Sequence, residues 1–398
     1  LKLNNQLMDK LIKPELLFLL CIIACTGCSA RIAAVEGQIK ATGYDQHVEL
    51  HWPRQPGVTS YEVWVSAEKG ELVKRATVND TMYMDFVNDL GSNLRLQYKV
   101  VGLNESGDEL DLGITAASTR DFSDEELIDM VEFYTFRYFY QGAEPNSAMA
   151  PERIHIDGEY PQNDQQVVTT GGTGFGIFGL LAGIERKWIT RQQGADHFEK
   201  MVNFLEKADR FHGVWPHWLH GDTGKVKPFS PNDNGGDLVE SAFLMQGLLA
   251  VREYYKDGTE QEKSIAGKID QLWKEMEWDW YTQAGKDVLY WHWSPDKNWQ
   301  MNFPLEGYNE CLITYILAAA SPTHTIPATA YHKGWARSGD INTDVEVFGY
   351  KLKLKHNGSE AMGGPLFWSH YSYLGLNPTG LKDRYADYWE ETRNHTLI

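Results

Sequence analysis

The sequence predicts two domains of different class. A small all-β sandwich comes first, and an all-α (α/α)6 toroid of inner and outer helices follows, with about four of its six helix pairs present. Three observations predict this. Short runs of alternating apolar and polar residues fill positions 31–120. From position 121 the period becomes helical. The helices then fall into two kinds that alternate along the chain. At 398 residues the chain exceeds one ordinary domain, and a 42% hydrophobic composition suffices for a sizeable core.

Positions 1–28 are read as a targeting segment. From Met8 the chain runs M-D-K-L-I-K-P-E-L-L-F-L-L-C-I-I-A-C-T-G-C. Lys10 and Lys13 form a basic start, and 16–24 is an apolar stretch too short to span a bilayer. Cys25-Thr26-Gly27-Cys28 resembles a bacterial lipobox, with Cys25 where leucine is commonest and Cys28 as the lipidated residue. An uncleaved anchor is the alternative. The expected location is the cell envelope, lipid-anchored and facing the periplasm. Of four cysteines only Cys311 then remains in the mature body, so neither a disulfide framework nor a zinc site can be assembled. No metal and no cofactor are expected. The net charge of -18 argues against nucleic acid and against anionic membranes, apart from the lipid anchor. A monomer is expected.

In the sandwich, V-E-L-H-W (48–52), Y-E-V-W-V (61–65), Y-M-D-F (83–86) and Q-Y-K-V-V-G-L (97–103) read as strands, with a turn at 104–107. Trp52, Tyr98 and the length resemble a fibronectin type III sandwich. Such a module is a spacer or packing partner rather than a site of chemistry. At D-F-S-D-E-E-L (121–127), Ser123 with Glu126 forms a capping box that opens an amphipathic helix over 124–140.

Four later segments follow glycines and are apolar nearly all round, beginning near Gly171, Gly235, Glu306 and Gly363. Charged amphipathic helices lie between them, at 191–209 and 260–280. A helix apolar on every side must be buried, and one with a charged face lies outside. The alternation repeats about every 65 residues. An irregular helical bundle is the other reading. By the toroid reading two inner helices are missing, and the domain over 121–398 is expected to lack roughly a hundred or more residues at its C-terminus.

The loops before the inner helices carry the informative residues. F-H-G-V-W-P-H-W (211–218) leads to S-P-N-D-N-G-G-D-L-V-E (230–240), and Y-W-H-W-S-P-D-K-N-W (290–299) leads to Asn309-Glu310. Trp215, Trp218, Trp291, Trp293 and Trp299 crowd these loops, whereas only Trp52 and Trp64 of fourteen tryptophans lie in the sandwich. Tryptophan suits stacking on sugar rings, although a helical toroid also needs bulky loop packing. Asp237 as N-cap and Glu240 three residues on can be read as a capping box alone. That reading leaves Asp233 and the flanking tryptophans unexplained. Glycosidic cleavage needs one carboxyl to protonate the leaving oxygen and another to activate water or attack. Glu310 recurs at the matching position of the next inner helix.

The helical part resembles the glycoamylase-like family of Bacteroidetes, which includes β-1,2-glucanases. The carrying stretches are E-P-N-S at Glu144, V-T-T-G-G-T-G-F-G-I at Val168, F-H-G-V-W-P-H-W, P-F-S-P-N-D-N-G-G-D-L-V-E at Pro228, M-N-F-P-L-E-G-Y-N-E-C-L-I-T-Y at Met301, S-P-T-H-T-I-P at Ser321, Y-H-K-G-W-A at Tyr331 and G-G-P-L-F-W-S-H-Y-S-Y-L-G at Gly363. The resemblance implies an N-terminal sandwich ahead of an (α/α)6 barrel and inverting hydrolysis of β-glucan, most of all β-1,2-glucan. It implies catalytic roles for Asp233, Asp237, Glu240 and Glu310, with Glu310 the candidate acid. Sugar contacts are expected from Trp215, His217, Trp218, Trp291, Trp293 and Tyr308 in these loops. Inversion separates acid and base by roughly 6.5–9.5 Å, which disfavours Asp237 with Glu240 as the pair. The family's base is expected in a later segment. Two alternatives remain: a glycan-binding lipoprotein without turnover, and a polysaccharide lyase, against which the acidic, aromatic loops count.

Overall fold

The structure is a computed structural model that describes residues 39–67, 70–155, 159–160 and 162–398. The expected signal segment and Cys28 lie outside the described residues. The chain divides into two compact units between Leu127 and Ile128.

Among the described residues the first unit holds seven strands: β1 (Lys40–Gly43), β2 (His47–His51), β3 (Ser60–Ala67), β4 (Val73–Val78), β5 (Met82–Phe86), β6 (Arg95–Leu103) and β7 (Glu109–Ser118). They form two antiparallel sheets, β1-β2-β5 and β4-β3-β6-β7. Alternation along β2, β3 and β6 points Val48, Leu50, Tyr61, Val63, Tyr98 and Val100 into one shared core, each with no exposed surface. Those three strands and β5 match the runs read from the sequence. The edge strand β4, V-K-R-A-T-V, is mostly solvent-facing, so its periodicity is weak.

In the second unit, α1 (Asp124–Tyr140) starts on the expected capping box. Ser123 Oγ accepts from the Glu126 N–H at 3.3 Å, and the Ser123 N–H donates to Glu126 at 3.0 Å. A short sheet, β8 (Val167–Thr169), β9 (Trp218–His220) and β10 (Val226–Lys227), feeds α2 (Thr170–Glu185). Then come α3 (Arg191–Leu205), β11 (Gly236–Asp237), α4 (Leu238–Tyr255), α5 (Glu260–Glu275), β12 (His292–Trp293), α6 (Leu312–Ala320), α7 (Leu366–His370) and α8 (Tyr388–Leu397). The apolar helices α2 and α4 pack on each other and are buried along most of their length. By contrast α3 and α5 bury one face each, through Phe198, Met201 and Leu205 and through Ile265, Ile269 and Leu272. Buried helices and helices with one buried face are thus distinguishable in this part of the unit.

Two expected inner helices are shorter than their apolar runs. In the third, Asn309 diverts the backbone. Its Oδ1 accepts from the Cys311 N–H and its Nδ2 donates to the Glu306 carbonyl, so helix begins only at Leu312. In the fourth, α7 has five residues and passes into a 3-10 turn over Tyr371–Tyr373.

Candidate active site

Asp237 caps α4 as its position implies. Its Oδ1 accepts from the N–H groups of Val239 and Glu240 at 3.0 and 2.9 Å. The reciprocal half of the box is absent. The Asp237 N–H donates instead to the Trp215 carbonyl, and Glu240 turns away to accept from the Gly171 N–H at 2.9 Å, at the start of α2. Gly171 is required there, since a Cβ would sit 2.1 Å from Glu240 Oε2. The cap and the second carboxylate are therefore separate devices.

Behind them lies a buried cluster. Asp237 Oδ2 accepts from His217 Nδ1 at 2.9 Å. Asp233 Oδ2 lies 3.8 Å from the same nitrogen, and Asp233 Oδ1 lies 3.5 Å from His292 Nε2. Asp233 is 2% exposed, and neither of its oxygens has a hydrogen-bond partner among the described residues. His292 Nε2 accepts from the Gly235 N–H at 2.9 Å, which puts its proton on Nδ1 and commits the one Nε2 lone pair to Gly235 rather than to Asp233. Burial, then the charge of Asp237, raises Asp233 to about 7 against the opposing effect of His217. Burial alone would lower His217, but Asp237, Glu240 and Asp233 outweigh it and lift the imidazole to about 9.

Glu240 and Glu310 line one cleft of about 410 Å³, together with His217, Trp291, Tyr308 and Trp368. Burial, then Asp237, raises Glu240 to about 7. Burial also raises Glu310, with its own backbone N–H opposing and Asp237 adding. Glu310 Oε2 is buried and unpartnered among the described residues. Two carboxyls from the starts of different helices thus share one aromatic-walled cleft, both biased toward the protonated form.

The six expected sugar contacts separate. His217, Trp291 and Tyr308 line the cleft. Trp215 does not and must be corrected: it has no exposed surface, and its indole N–H donates to the Leu205 carbonyl, so no sugar ring can reach it. Trp218 donates to Glu152 and packs against Phe229, away from the cleft walls. Trp293 packs edge-on against His212 and Trp280 and is also not a wall residue. Trp368 and His292 were not singled out. Trp368 sits within the G-G-P-L-F-W run that reads as buried helix, and His292 lies between two tryptophans that drew attention first.

For a metal, His217, Asp233 and Asp237 each offer a ligand atom, all within 4.8 Å of one another. The His217–Asp237 hydrogen bond places a proton on the Nδ1 that a metal would need deprotonated.

Residues 302–398 match the family model described as "Putative glucoamylase". The exo-β-1,2-glucooligosaccharide sophorohydrolase (non-reducing end) of Parabacteroides distasonis is 40% identical over 384 residues, covering 90% of this chain and 51% of that protein. The endo-β-1,2-glucanase of Chitinophaga pinensis, solved with sophorotriose and glucose, is 64% identical with a TM-score of 0.68, over 69% of this chain and 66% of that one. A β-1,2-glucanase structure from Parabacteroides distasonis is 38% identical with a TM-score of 0.79, over 90% of this chain and 53% of that one. The chain spans about half the length of the curated relative it matches. Residues 302–398 carry the match to that family, and the chain as a whole is similar to β-1,2-glucanases of this kind.

Proposed function

We propose that the chain is a glycoside hydrolase acting on β-1,2-glucan or its oligosaccharides by inversion. The observation that carries this is the single cleft shared by Glu240 and Glu310, whose protonated bias suits a group that must donate a proton to a leaving oxygen. Glu310 is the acid. Glu240, with Asp237 and Asp233 behind it, holds the sugar and positions water, and one of the three is the candidate base. Trp291 and Trp368 stack on sugar rings and His217 binds hydroxyls, while Tyr308, whose hydroxyl is buried, backs the cleft wall. The names of the relatives favour the β-1,2 linkage.

In the same reading, α2, α4 and α6 are inner helices of an (α/α)6 toroid, and the sandwich is a fibronectin type III-like module. The protein is held at the cell envelope through Cys28, faces the periplasm and works as a monomer.

The test is reducing-sugar release from linear β-1,2-glucan by the wild-type chain and by Glu310→Gln. Release by the wild type, abolished by the variant, is expected. Glucan binding by both without release would turn the reading to a binding protein.

A further inference from the structure

We propose a second carbohydrate-binding cleft, built on Trp280, that takes a neutral β-glucan chain apart from the Glu240–Glu310 cleft. Its ligand class rests on the glucan reading above. The cleft has a volume of about 650 Å³, within the range of small-molecule sites. Trp280 and Trp299 lie in its wall, their ring centroids 6.3 Å apart and their planes 31° from parallel.

Trp280 is 39% exposed, unusual for so large an apolar ring. It is nevertheless clamped. His212 stacks on one face, with centroids 3.7 Å apart and planes 15° from parallel. Glu277 holds His212 in turn, through Nδ1 at 2.9 Å, and Trp293 buttresses both rings edge-on. With one face covered by the imidazole, the remaining ring surface is a fixed platform toward the cleft. A rigid, half-exposed indole beside polar groups suits the C–H face of a sugar, with little side-chain entropy lost on binding.

Polar partners are at hand. Asp279 Oδ1 is hydrogen-bonded to His324 Nδ1 at 3.0 Å, and Gln283 lines the cleft from the next turn. The charged walls, Glu277 and Asp279 faced by His324, disfavour an anionic polysaccharide and leave a neutral glucan. The two clefts share no wall residue. Trp293 of the β11–β12 ladder packs on Trp280, and Gly236 across the ladder lies against buried Tyr281, whose hydroxyl would lie 2.3 Å from a Cβ there.

The experiment is gel retention by embedded linear β-1,2-glucan, run beside reducing-sugar release from a short β-1,2-linked oligosaccharide, on the full chain. Trp280→Ala is expected to weaken retention about tenfold and to leave release from the short substrate unchanged. Trp280→Phe, which keeps a ring and guards against misfolding, is expected to recover part of the retention. Glu310→Gln should stay retained. Wild-type retention in Trp280→Ala, or no retention of the wild type, overturns the second cleft. Retention lost in Trp280→Ala with no release by the wild type upholds it and counts against the catalytic reading alone.

Discussion

Two buried aspartates, one in each unit, are treated in opposite ways. Asp85 in the sandwich is 1% exposed and fully partnered. Arg75 Nε donates to it at 2.5 Å, Tyr98 donates at 2.8 Å, and Asp89 shares the same guanidinium. Asp233 beside the cleft is 2% exposed and has no hydrogen bond to either oxygen. A buried charge left without partners is costly and is ordinarily avoided. The sandwich neutralises its carboxylate and so ties three strands, β4, β5 and β6, together. The helical unit leaves its carboxylate unmet, beside a histidine and a second acid, where a proton can move. The difference separates carboxyls that serve the fold from carboxyls that serve the cleft, and substitution can break that distinction.

The largest effect belongs to the cleft. Glu310→Gln keeps the side chain's shape and removes its proton, so reducing-sugar release should fall about 10²–10⁴-fold while thermal unfolding stays where it was. A loss of melting temperature comparable to that of a core substitution would instead place Glu310 with Asp85.

Next is the aspartate pair itself. Asp85→Asn strips Arg75 of its buried partner and should lower unfolding free energy by about 2 kcal/mol. Asp233→Asn should not destabilise at neutral pH. Asp233 titrates higher in the fold, near 7, than when unfolded. Its stabilising contribution is therefore complete below the unfolded value and lost as pH rises through 7. Wild type should lose stability relative to Asp233→Asn over that window, as read by melting temperature against pH. A gap that stays constant from pH 4 to 8 would mean that Asp233 does not titrate there.

A smaller effect tests whether Glu240 is positioned by α2. Gly171→Ala puts a methyl where the carboxylate now sits, 2.1 Å from Oε2. Glu240 must swing away, and release should fall about tenfold, through kcat more than KM, with little change in melting temperature.

How far the sequence disclosed these arrangements depends on the range of each interaction. Local ones were legible. The Ser123–Glu126 box, the Asp237 cap and the strands β2, β3 and β6 follow from neighbours in sequence, because hydrogen-bond geometry over three or four residues leaves few choices. Glu240 shows the limit. Spacing made it the reciprocal partner of Asp237, but the Gly171 N–H, 69 positions away, claims it. Trp215 shows the same limit. Five of the eight residues at 211–218 are phenylalanine, tryptophan, proline or glycine, and only the fold decides that Trp215 turns to Leu205. The convergence of Glu240 and Glu310 was expected from their matched positions at helix starts, and both line one cleft. Trp368 and Trp280 gave no sequence signal beyond their residue type.

The smallest effect is the most discriminating, because Glu391 in α8 combines both kinds of carboxyl. It is 2% exposed and accepts from the Lys353 and Leu354 N–H groups at 2.8 and 3.1 Å, as a structural acid should. Burial nevertheless outweighs those donors and raises it to about 7. Glu391→Gln keeps one acceptor and should cost about 1 kcal/mol. By the linkage used for Asp233, wild type loses its advantage as pH climbs from about 4 to 7, so the difference in melting temperature should narrow over that range. If it widens instead, the two N–H groups hold the charged form against burial. Glu391 would then stand with Asp85, and hydrogen-bond donors rather than burial would be what divides the two kinds of acid in this protein.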